Sequence, residues 1–235
     1  MRILAIDSSG LVASVALLDD DCVLADYSIN YKKTHSQTLV PMLSEIKEMV
    51  NLDMETVDAI AVAGGPGSFT GLRIGSATAK GLGLAMGKPI IAVETVDGLA
   101  MNAWGYAGFV CPIMDARRDQ VYTGIYRFEE GQLQIVKPQC AVSITEICEQ
   151  LNTLEGPVLF LGDGVPVYQD KIAEQLTVPY EFAPAHMSRQ RAAALGVLAA
   201  RYYAEGRYES ALEHKPDYLR LSQAERERLE KEGQG

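Results

Sequence analysis

Apolar runs and polar turns alternate over the first 30 residues, which predicts a meander of three strands. Acidic and small residues occupy the turns, and Asp7 directly follows the first run. Each run is short enough for a single strand that joins its neighbour through a hairpin. The three runs cover residues 2–6, 12–18 and 23–30.

An amphipathic helix follows the meander, because apolar side chains recur at helical spacing from Leu39 to Val50. Thr34 and Gln37 have the spacing of a capping box at its beginning. Pro41 lies within the same stretch and favours a later beginning of the regular helix. We therefore expect a helix that begins between Thr34 and Pro41.

The same order of elements starts again in the second half of the chain, which indicates an internal repeat of about 110 residues. A strand over 109–114 ends at Asp115, a hairpin and a third strand follow, and Ser143 and Glu146 have capping-box spacing. A strand over 157–161 comes next. The repeat predicts an α/β fold of two similar lobes with a cleft between them. The predicted divisions are 1–105, 106–221 and a charged tail over 222–235.

A glycine-rich segment from Gly64 to Gly75 connects an apolar strand over 59–63 to a helix over 70–86. Such a turn can present backbone N–H groups to an anion, so a phosphate site is one interpretation. Close packing of helix against strand is the other, since the segment matches neither nucleotide fingerprint. The helix carries only two charges, Arg73 and Lys80, which predicts that a second surface covers it besides its own sheet.

Acidic residues follow the first strand of each repeat, at the end where α/β folds bind ligands. Two such acids facing each other across a cleft could hold Mg²⁺ with a nucleotide, and each could equally close a local turn. Asp163 lies between two glycines after a later strand and has the same two interpretations. The candidate nucleotide cleft comprises Asp7, Ser8, Asp115, Gly162 and Asp163.

Composition argues against several classes of function. A net charge of −10 without a basic stripe predicts weak nucleic-acid binding by the chain alone. The four cysteines lack C-x-x-C spacing and the three histidines lie far apart, so we expect no zinc site. No apolar run approaches the ~20 residues of a membrane span, and Asp7 interrupts the first run too early for a signal peptide. We expect a cytoplasmic protein with reduced thiols.

Four segments spread over almost the whole chain resemble the TsaB (YeaZ) family of tRNA threonylcarbamoyladenosine biosynthesis. The glycine-rich segment is the most specific of the four. They are MRILAIDSS (1–9), GPGSFTGLRIG (65–75), DAR (115–117) with Val121 and Tyr122, and PDYLR (216–220). The resemblance implies two tandem RNase H-like lobes of the actin-like and sugar-kinase (ASKHA) type, in agreement with the internal repeat.

The resemblance also implies a role as a non-catalytic scaffold that pairs with a TsaD-like transferase. TsaD carries an H-x-x-x-H metal pair, and Thr95 and Leu99 stand at the corresponding positions here, which implies that this chain has no metal site and no catalytic residue. A TsaE-like ATPase would join the pair. No cofactor would bind tightly, ATP and Mg²⁺ would enter only through these partners, and tRNA would be contacted only indirectly. Alone, such a chain is expected to form a homodimer.

The two first-lobe helices, 35–51 and 70–86, form the partner surface that the resemblance implies. Small residues along the second helix permit another helix to approach closely. A homodimer would use the same surface. The implied interface residues are Leu39, Met42, Leu43, Ile46, Arg73, Ile74, Thr78, Leu82 and Met86.

Two enzymatic hypotheses stand beside the scaffold. A nucleotide-dependent transferase or kinase would use Asp7 and Asp115, and binding of Mg·ATP at micromolar to millimolar levels would reveal it. A peptidase is disfavoured, because no serine lies in a recognisable nucleophile elbow and none has an evident histidine partner.

Overall fold

Each half of the chain contributes one five-stranded sheet to the structure, a computed structural model that describes residues 1–219. Apolar side chains fill β1, β2 and β4, which are buried along almost their whole length. The strands of the first sheet are β1 (Arg2–Asp7), β2 (Ala13–Asp19), β3 (Cys22–Ile29), β4 (Ala59–Gly65) and β5 (Ile90–Glu94). Their spatial order is β3-β2-β1-β4-β5, with the first three strands antiparallel and the last two parallel to β1.

The second sheet repeats this topology, which confirms the internal repeat. Its strands are β6 (Phe109–Asp115), β7 (Gln120–Glu129), β8 (Gln132–Ser143), β9 (Val158–Leu161) and β10 (Tyr180–Phe182). Their order is β8-β7-β6-β9-β10, again an antiparallel meander followed by two parallel strands. Asp7 and Asp115 therefore close equivalent strands, as the sequence pattern predicts.

Helices cover both faces of the first sheet. The helices are α1 (His35–Met49), α2 (Phe69–Met86), α3 (Thr95–Ala100), α4 (Ile144–Leu151), α5 (Val165–Gln175) and α6 (Ala192–Ala204). One face packs against α1 and α2, and the other packs against α6, which returns from the end of the chain. The helix α3 lies between the lobes, with its six residues all buried.

The division of the chain at residue 105 stays a prediction. The helix α6 lies in the predicted second lobe by sequence but packs against the first sheet. The predicted tail over 222–235 lies outside the described residues. Within residues 1–219, no helix is both long and apolar enough to cross a membrane.

The two predicted capping boxes differ in outcome. Ser143 Oγ accepts a hydrogen bond from the Glu146 backbone N–H at 3.1 Å, which confirms the second box. The first box is wrong in its chemistry, because the Thr34 hydroxyl pairs with the Ser36 hydroxyl at 3.1 Å and makes no cap bond. The helix nevertheless begins at His35, so Pro41 lies inside it and does not delay its beginning.

The structure also contains two elements that the sequence pattern does not predict, α5 and β10. Only Tyr168 and Ile172 of α5 are buried, so its apolar periodicity is weak. Gly162, Gly164 and Pro166 additionally give its beginning the composition of a loop.

Candidate functional site

The glycine-rich segment packs directly against the turn that follows β1. The Ser68 backbone N–H donates to the Ser9 carbonyl at 2.7 Å, and Ser8 Oγ donates to the Gly71 carbonyl at 2.8 Å. A Cβ atom at Gly67 would clash with the Ser9 carbonyl oxygen, and one at Gly71 would clash with the Ser8 carbonyl oxygen. These contacts confirm close packing as the role of the glycines.

Asp7 is buried beside the turn that follows β1. Its carboxylate accepts hydrogen bonds from the Ser9 N–H at 2.9 Å and the Ser9 hydroxyl at 2.6 Å, and its side chain is almost fully buried. Burial raises the pKa of Asp7, although the two bonds from Ser9 act in the opposite direction. Asp7 and Ser8 are not among the residues that line the cleft, and the pairing of Asp7 with Asp115 across it stays a prediction.

A cleft of about 1020 Å³ lies between the lobes, and the acids in its lining are Asp115, Asp163 and Asp217, all from the second half of the chain. Asp115 Oδ1 accepts hydrogen bonds from the Arg117 N–H at 2.9 Å and the Tyr168 hydroxyl at 3.1 Å. Asp163 Oδ1 is buried and has no hydrogen-bond partner among the described residues. Burial raises the pKa of Asp163, and the nearby Arg189 guanidinium partly opposes this.

Gly162 allows the backbone conformation of the turn before Asp163. Its φ of +110° lies in the region that L side chains rarely adopt, and a Cβ there would clash with the Ile113 carbonyl oxygen. Gly162 itself does not line the cleft. It contributes to the predicted site only by allowing the backbone conformation of the turn before Asp163.

Thr95 and Leu99 do not fit a metal pair. The Thr95 hydroxyl accepts a hydrogen bond from the Gly65 N–H at 3.2 Å, and Leu99 is buried in the core between the lobes. Leu99 has no donor atom, and the neutral Thr95 hydroxyl is a poor ligand that is already occupied. In the part of the chain that the structure describes, no group of three or more His, Cys, Asp or Glu side chains is placed to hold a metal ion.

A second cavity, of about 510 Å³, lies between α1 and α2 on the outside of the first lobe. We call it the helix groove. Leu4 of β1 contributes to its lining, Val40 and Leu43 line it from α1, and Thr78 and Leu82 line it from α2. Among the described residues that line it, Lys47 is the only charged one. The groove is thus an open, almost uncharged depression on the surface.

Eight of the nine implied interface residues divide into three groups. Leu43, Thr78 and Leu82 line the helix groove. Ile74 and Met86 are half-buried beside the core beneath it. Leu39, Met42 and Ile46 are buried in that core at 3% exposure or less, so their side chains contact the sheet and cannot reach a partner.

Arg73, the remaining implied interface residue, is held by the chain itself. Its guanidinium lies 4.0 Å from the Phe69 ring centroid, and its Nε donates to the Tyr218 hydroxyl at 3.3 Å. The Phe69 and Tyr218 rings are 4.8 Å apart. The other charge of α2, Lys80, donates to the carbonyls of Leu212 and His214.

The segment over 209–219 therefore covers one side of α2, a feature that sequence reasoning missed. It supplies part of the second surface expected around this weakly charged helix. The PDYL residues 216–219 are noted in the sequence only as part of a resemblance, and no pattern connects them to α2, which lies more than 130 residues earlier.

Comparison with known proteins identifies the family. The family model described as TsaD, tRNA N6-adenosine threonylcarbamoyltransferase, matches residues 22–228. The tRNA threonylcarbamoyladenosine biosynthesis protein TsaB of Bacillus subtilis is 37% identical over 98% of this chain and 99% of its own length. The protein of the same name from Escherichia coli is 32% identical over 94% of this chain and 95% of its own length.

Solved structures agree with these matches. A Pseudomonas aeruginosa protein described as similar to peptidase YEAZ has a TM-score of 0.80 at 28% identity and covers 93% of this chain and 99% of its own. YeaZ from the same organism has a TM-score of 0.77, also at 28% identity, over 92% of this chain and 99% of its own. An Arthrobacter inorganic polyphosphate/ATP-glucomannokinase has a TM-score of 0.51 at 9% identity, over 85% of this chain and 98% of its own; it shares the fold alone and confirms the sugar-kinase type of architecture. The chain belongs to the TsaB (YeaZ) family, within the wider family that the TsaD model describes.

Proposed function

We propose that this chain is a non-catalytic subunit in the synthesis of N6-threonylcarbamoyladenosine in tRNA, and that it docks a TsaD-related transferase on the helix groove. The observation that carries the proposal is the groove itself, an open apolar depression on a chain with a net charge of −10. Exposed apolar surface of this kind is typical of protein interfaces.

The surface around the helix groove supports a protein partner. Val40 is 60% exposed and Leu84 is 53% exposed, and both are large apolar side chains on the two helices that form the groove. Ala77 and Gly81 keep its α2 wall low, so that a helix of the partner can approach the backbone. The groove accordingly favours an apolar helix over a charged small ligand.

Three local features support the absence of catalysis. Thr95 and Leu99 cannot replace a pair of imidazoles, and Asp7 is engaged by Ser9 below the cleft. The hydroxyls of Ser8 and Ser9 are bonded to Gly71 and Asp7, so neither is poised as a nucleophile for a peptidase. The chain thereby acts on its partner and leaves the transfer chemistry to it.

The assembly that follows has three further parts. A TsaE-like ATPase joins the pair of subunits, and ATP with Mg²⁺ enters through these partners. Two copies of this chain pair through the same helix groove when the transferase is absent, because the apolar surface is then left without a cover. The transferase and the second copy of this chain therefore compete for one surface.

A charge in the groove tests the docking step. Leu82→Arg places a guanidinium in the groove, and we expect it to abolish pull-down of the TsaD-family protein of the same organism. Gln169→Arg on the exposed side of α5 is the control and should retain the complex. Undiminished complex with Leu82→Arg, in a variant whose circular dichroism shows that it is folded, would exclude the groove as the interface.

A modification assay tests the role in the pathway. Co-expression of this chain with that TsaD-family protein, followed by mass analysis of the tRNA, should show N6-threonylcarbamoyladenosine only when this chain is present. Equal modification without it would contradict a required subunit.

A nucleotide-dependent enzyme is the second candidate, favoured by one observation. Asp163 Oδ1 is buried in the lining of a cleft of about 1020 Å³ and has no partner in the described part of the chain. Calorimetric titration of the isolated chain with Mg·ATP decides between the two functions. Binding that Asp115→Asn and Asp163→Asn abolish would favour the enzyme, and absence of heat would favour the scaffold.

A further inference from the structure

Three exposed cations line the cleft between the lobes, and a fourth directly follows one of them in the chain. Lys32 and Lys33 follow β3 in the first lobe, and Arg117 and Arg118 follow β6 in the second. Lys32, Lys33 and Arg117 line the cleft, and all four side chains belong to exposed residues. We call these four residues the basic rim.

The basic rim is left largely without partners inside the chain. Within residues 1–219, the side chains of Lys32, Lys33 and Arg118 have no hydrogen bond or ion pair. Arg117 reaches Asp115 at 3.7 Å while 87% of its side chain remains exposed. Several other cations are paired, as Arg191 is with Asp26 at 2.9 Å and Lys171 with Asp119 at 2.7 Å. The rim therefore offers charge that the fold does not use.

The backbone keeps the two arginines on the surface. Arg117, Arg118 and Asp119 all have positive φ values, of 64°, 56° and 58°, which non-glycine residues rarely adopt. The Arg117 N–H is tied to Asp115 Oδ1, and Asp119 is tied to Lys171, so contacts on both sides hold the turn in this conformation. Strained turns that the surroundings hold in place are frequent at binding sites.

The charges are layered by depth, which favours an extended anion over a single buried phosphate. Asp115 is 19% exposed and Asp163 Oδ1 is buried, so two acids lie at the floor of the cleft, whereas the exposed part of its lining carries three cations and one acid, Asp217. The rim spans loops from both lobes, and Tyr31, beside Lys32, is 72% exposed. Cations that can contact successive phosphates, together with an aromatic ring available for base stacking, are the features of a protein surface that binds single-stranded nucleic acid.

We propose that the basic rim binds the phosphate backbone of the tRNA substrate when this chain is assembled with its TsaD-related partner. This inference rests on the proposed function and is an alternative to the expectation that tRNA is contacted only indirectly, which stays a prediction. The net charge of −10 keeps the isolated chain a weak binder, so the rim adds to an affinity that the partner supplies. An acidic protein segment would form ion pairs with the basic rim but would have no base to stack on Tyr31.

The test compares tRNA affinity of the reconstituted complex across a salt series. Lys32→Gln with Lys33→Gln, and separately Arg117→Gln with Arg118→Gln, should each weaken binding at least about fivefold at low salt. Each double variant should also lower the slope of log affinity against log salt by about 1.5. Arg127→Gln with Lys137→Gln is the charge-matched control on β7 and β8, outside the cleft lining, and should change neither quantity.

The outcomes separate the two proposals. An intact complex whose tRNA affinity and salt slope do not respond to the rim variants overturns the inference and leaves the proposed function standing. Equal losses in the rim variants and the control overturn it as well, since they indicate a general charge effect. Failure of the unaltered chain to form the complex overturns the proposed function and the inference with it. Competition by a tRNA anticodon stem-loop but not by inorganic phosphate or ATP supports RNA as the source of the phosphates.

Discussion

The two lobes place equivalent helix pairs on equivalent sheets, yet the outer faces of these pairs differ. The first pair is α1 and α2, and the second pair is α4 and α5, each joined through the fourth strand of its sheet. Of the 18 residues of α2 only Arg73 and Lys80 are charged, and both are bonded to the chain's own segment over 209–219. The 11 residues of α5 carry Asp170, Lys171 and Glu174.

The difference separates what the fold requires from what a partner requires. The second pair buries its apolar side chains, among them Ile147 and Ile172, against its own sheet and presents mainly polar residues to solvent, apart from Val167, which is 57% exposed and lines the cleft between the lobes. The first pair buries an equally complete core and still leaves apolar surface at Val40 and Leu84. Since the topology is the same in both lobes, folding alone does not account for the excess apolar surface of the first pair.

We expect the largest effect on stability from glycine substitutions in α2. They distinguish a glycine that packs against the turn after β1 from a glycine that lines the helix groove. Gly71→Ala drives a Cβ into the Ser8 carbonyl, and we expect it to lower the free energy of unfolding by about 3 kcal/mol. Gly81→Ala on the same helix meets no atom within 4 Å and should raise that free energy by about 0.5–1 kcal/mol. Urea denaturation measures both, and equal effects would show that the clash at Gly71 is relieved by movement.

The contact between the lobes predicts a pH dependence. Asp97 of α3 accepts a hydrogen bond from the Tyr126 hydroxyl of β7 at 2.6 Å, and burial raises the pKa of Asp97 to about 6. A carboxyl whose pKa is higher in the folded than in the unfolded state loses stability as the pH rises from about 4 to about 6. We expect Asp97→Asn, which carries no charge, to remove about 2 kcal/mol of this loss.

Urea denaturation of both proteins at pH 4.5 and pH 7.5 measures the effect. Glu94 and Arg207 also act on Asp97, and the Tyr202 hydroxyl donates to Glu94 on the same side. Their charges are unchanged by Asp97→Asn, so the difference between the two proteins isolates Asp97. A parallel pH dependence in both would assign the loss to another group.

A smaller effect is expected at the amino end of α2. Arg73→Ala removes the guanidinium from the Phe69 ring and the hydrogen bond to Tyr218, and should cost about 1 kcal/mol of stability. It should leave the affinity for the TsaD-family partner within twofold, because Arg73 does not line the groove. A larger loss of affinity would extend the interface to the amino end of α2.

The repeat, most strands and most helices can be predicted from the sequence, because Asp7 and Asp115 close two matching apolar runs and the cap at Ser143 is local. The contact of Leu39 and Ile46 with the sheet cannot be predicted, because helical spacing shows that apolar residues share a face but not what that face contacts. The cover of α2 by Tyr218 depends on a contact between distant parts of the chain. The burial of Asp7 likewise depends on Ser9 and the packed glycine segment.

The central claim is that the first helix pair, and not the second, binds the transferase. Ala77 of α2 and Ala173 of α5 are both exposed alanines on helices in equivalent positions, so Ala77→Arg and Ala173→Arg make the same chemical change on the two surfaces. Isothermal titration against the TsaD-family partner should show a loss of about 30-fold or more for Ala77→Arg and less than twofold for Ala173→Arg. Equal affinities for the two variants, or a greater loss for Ala173→Arg, would contradict the account.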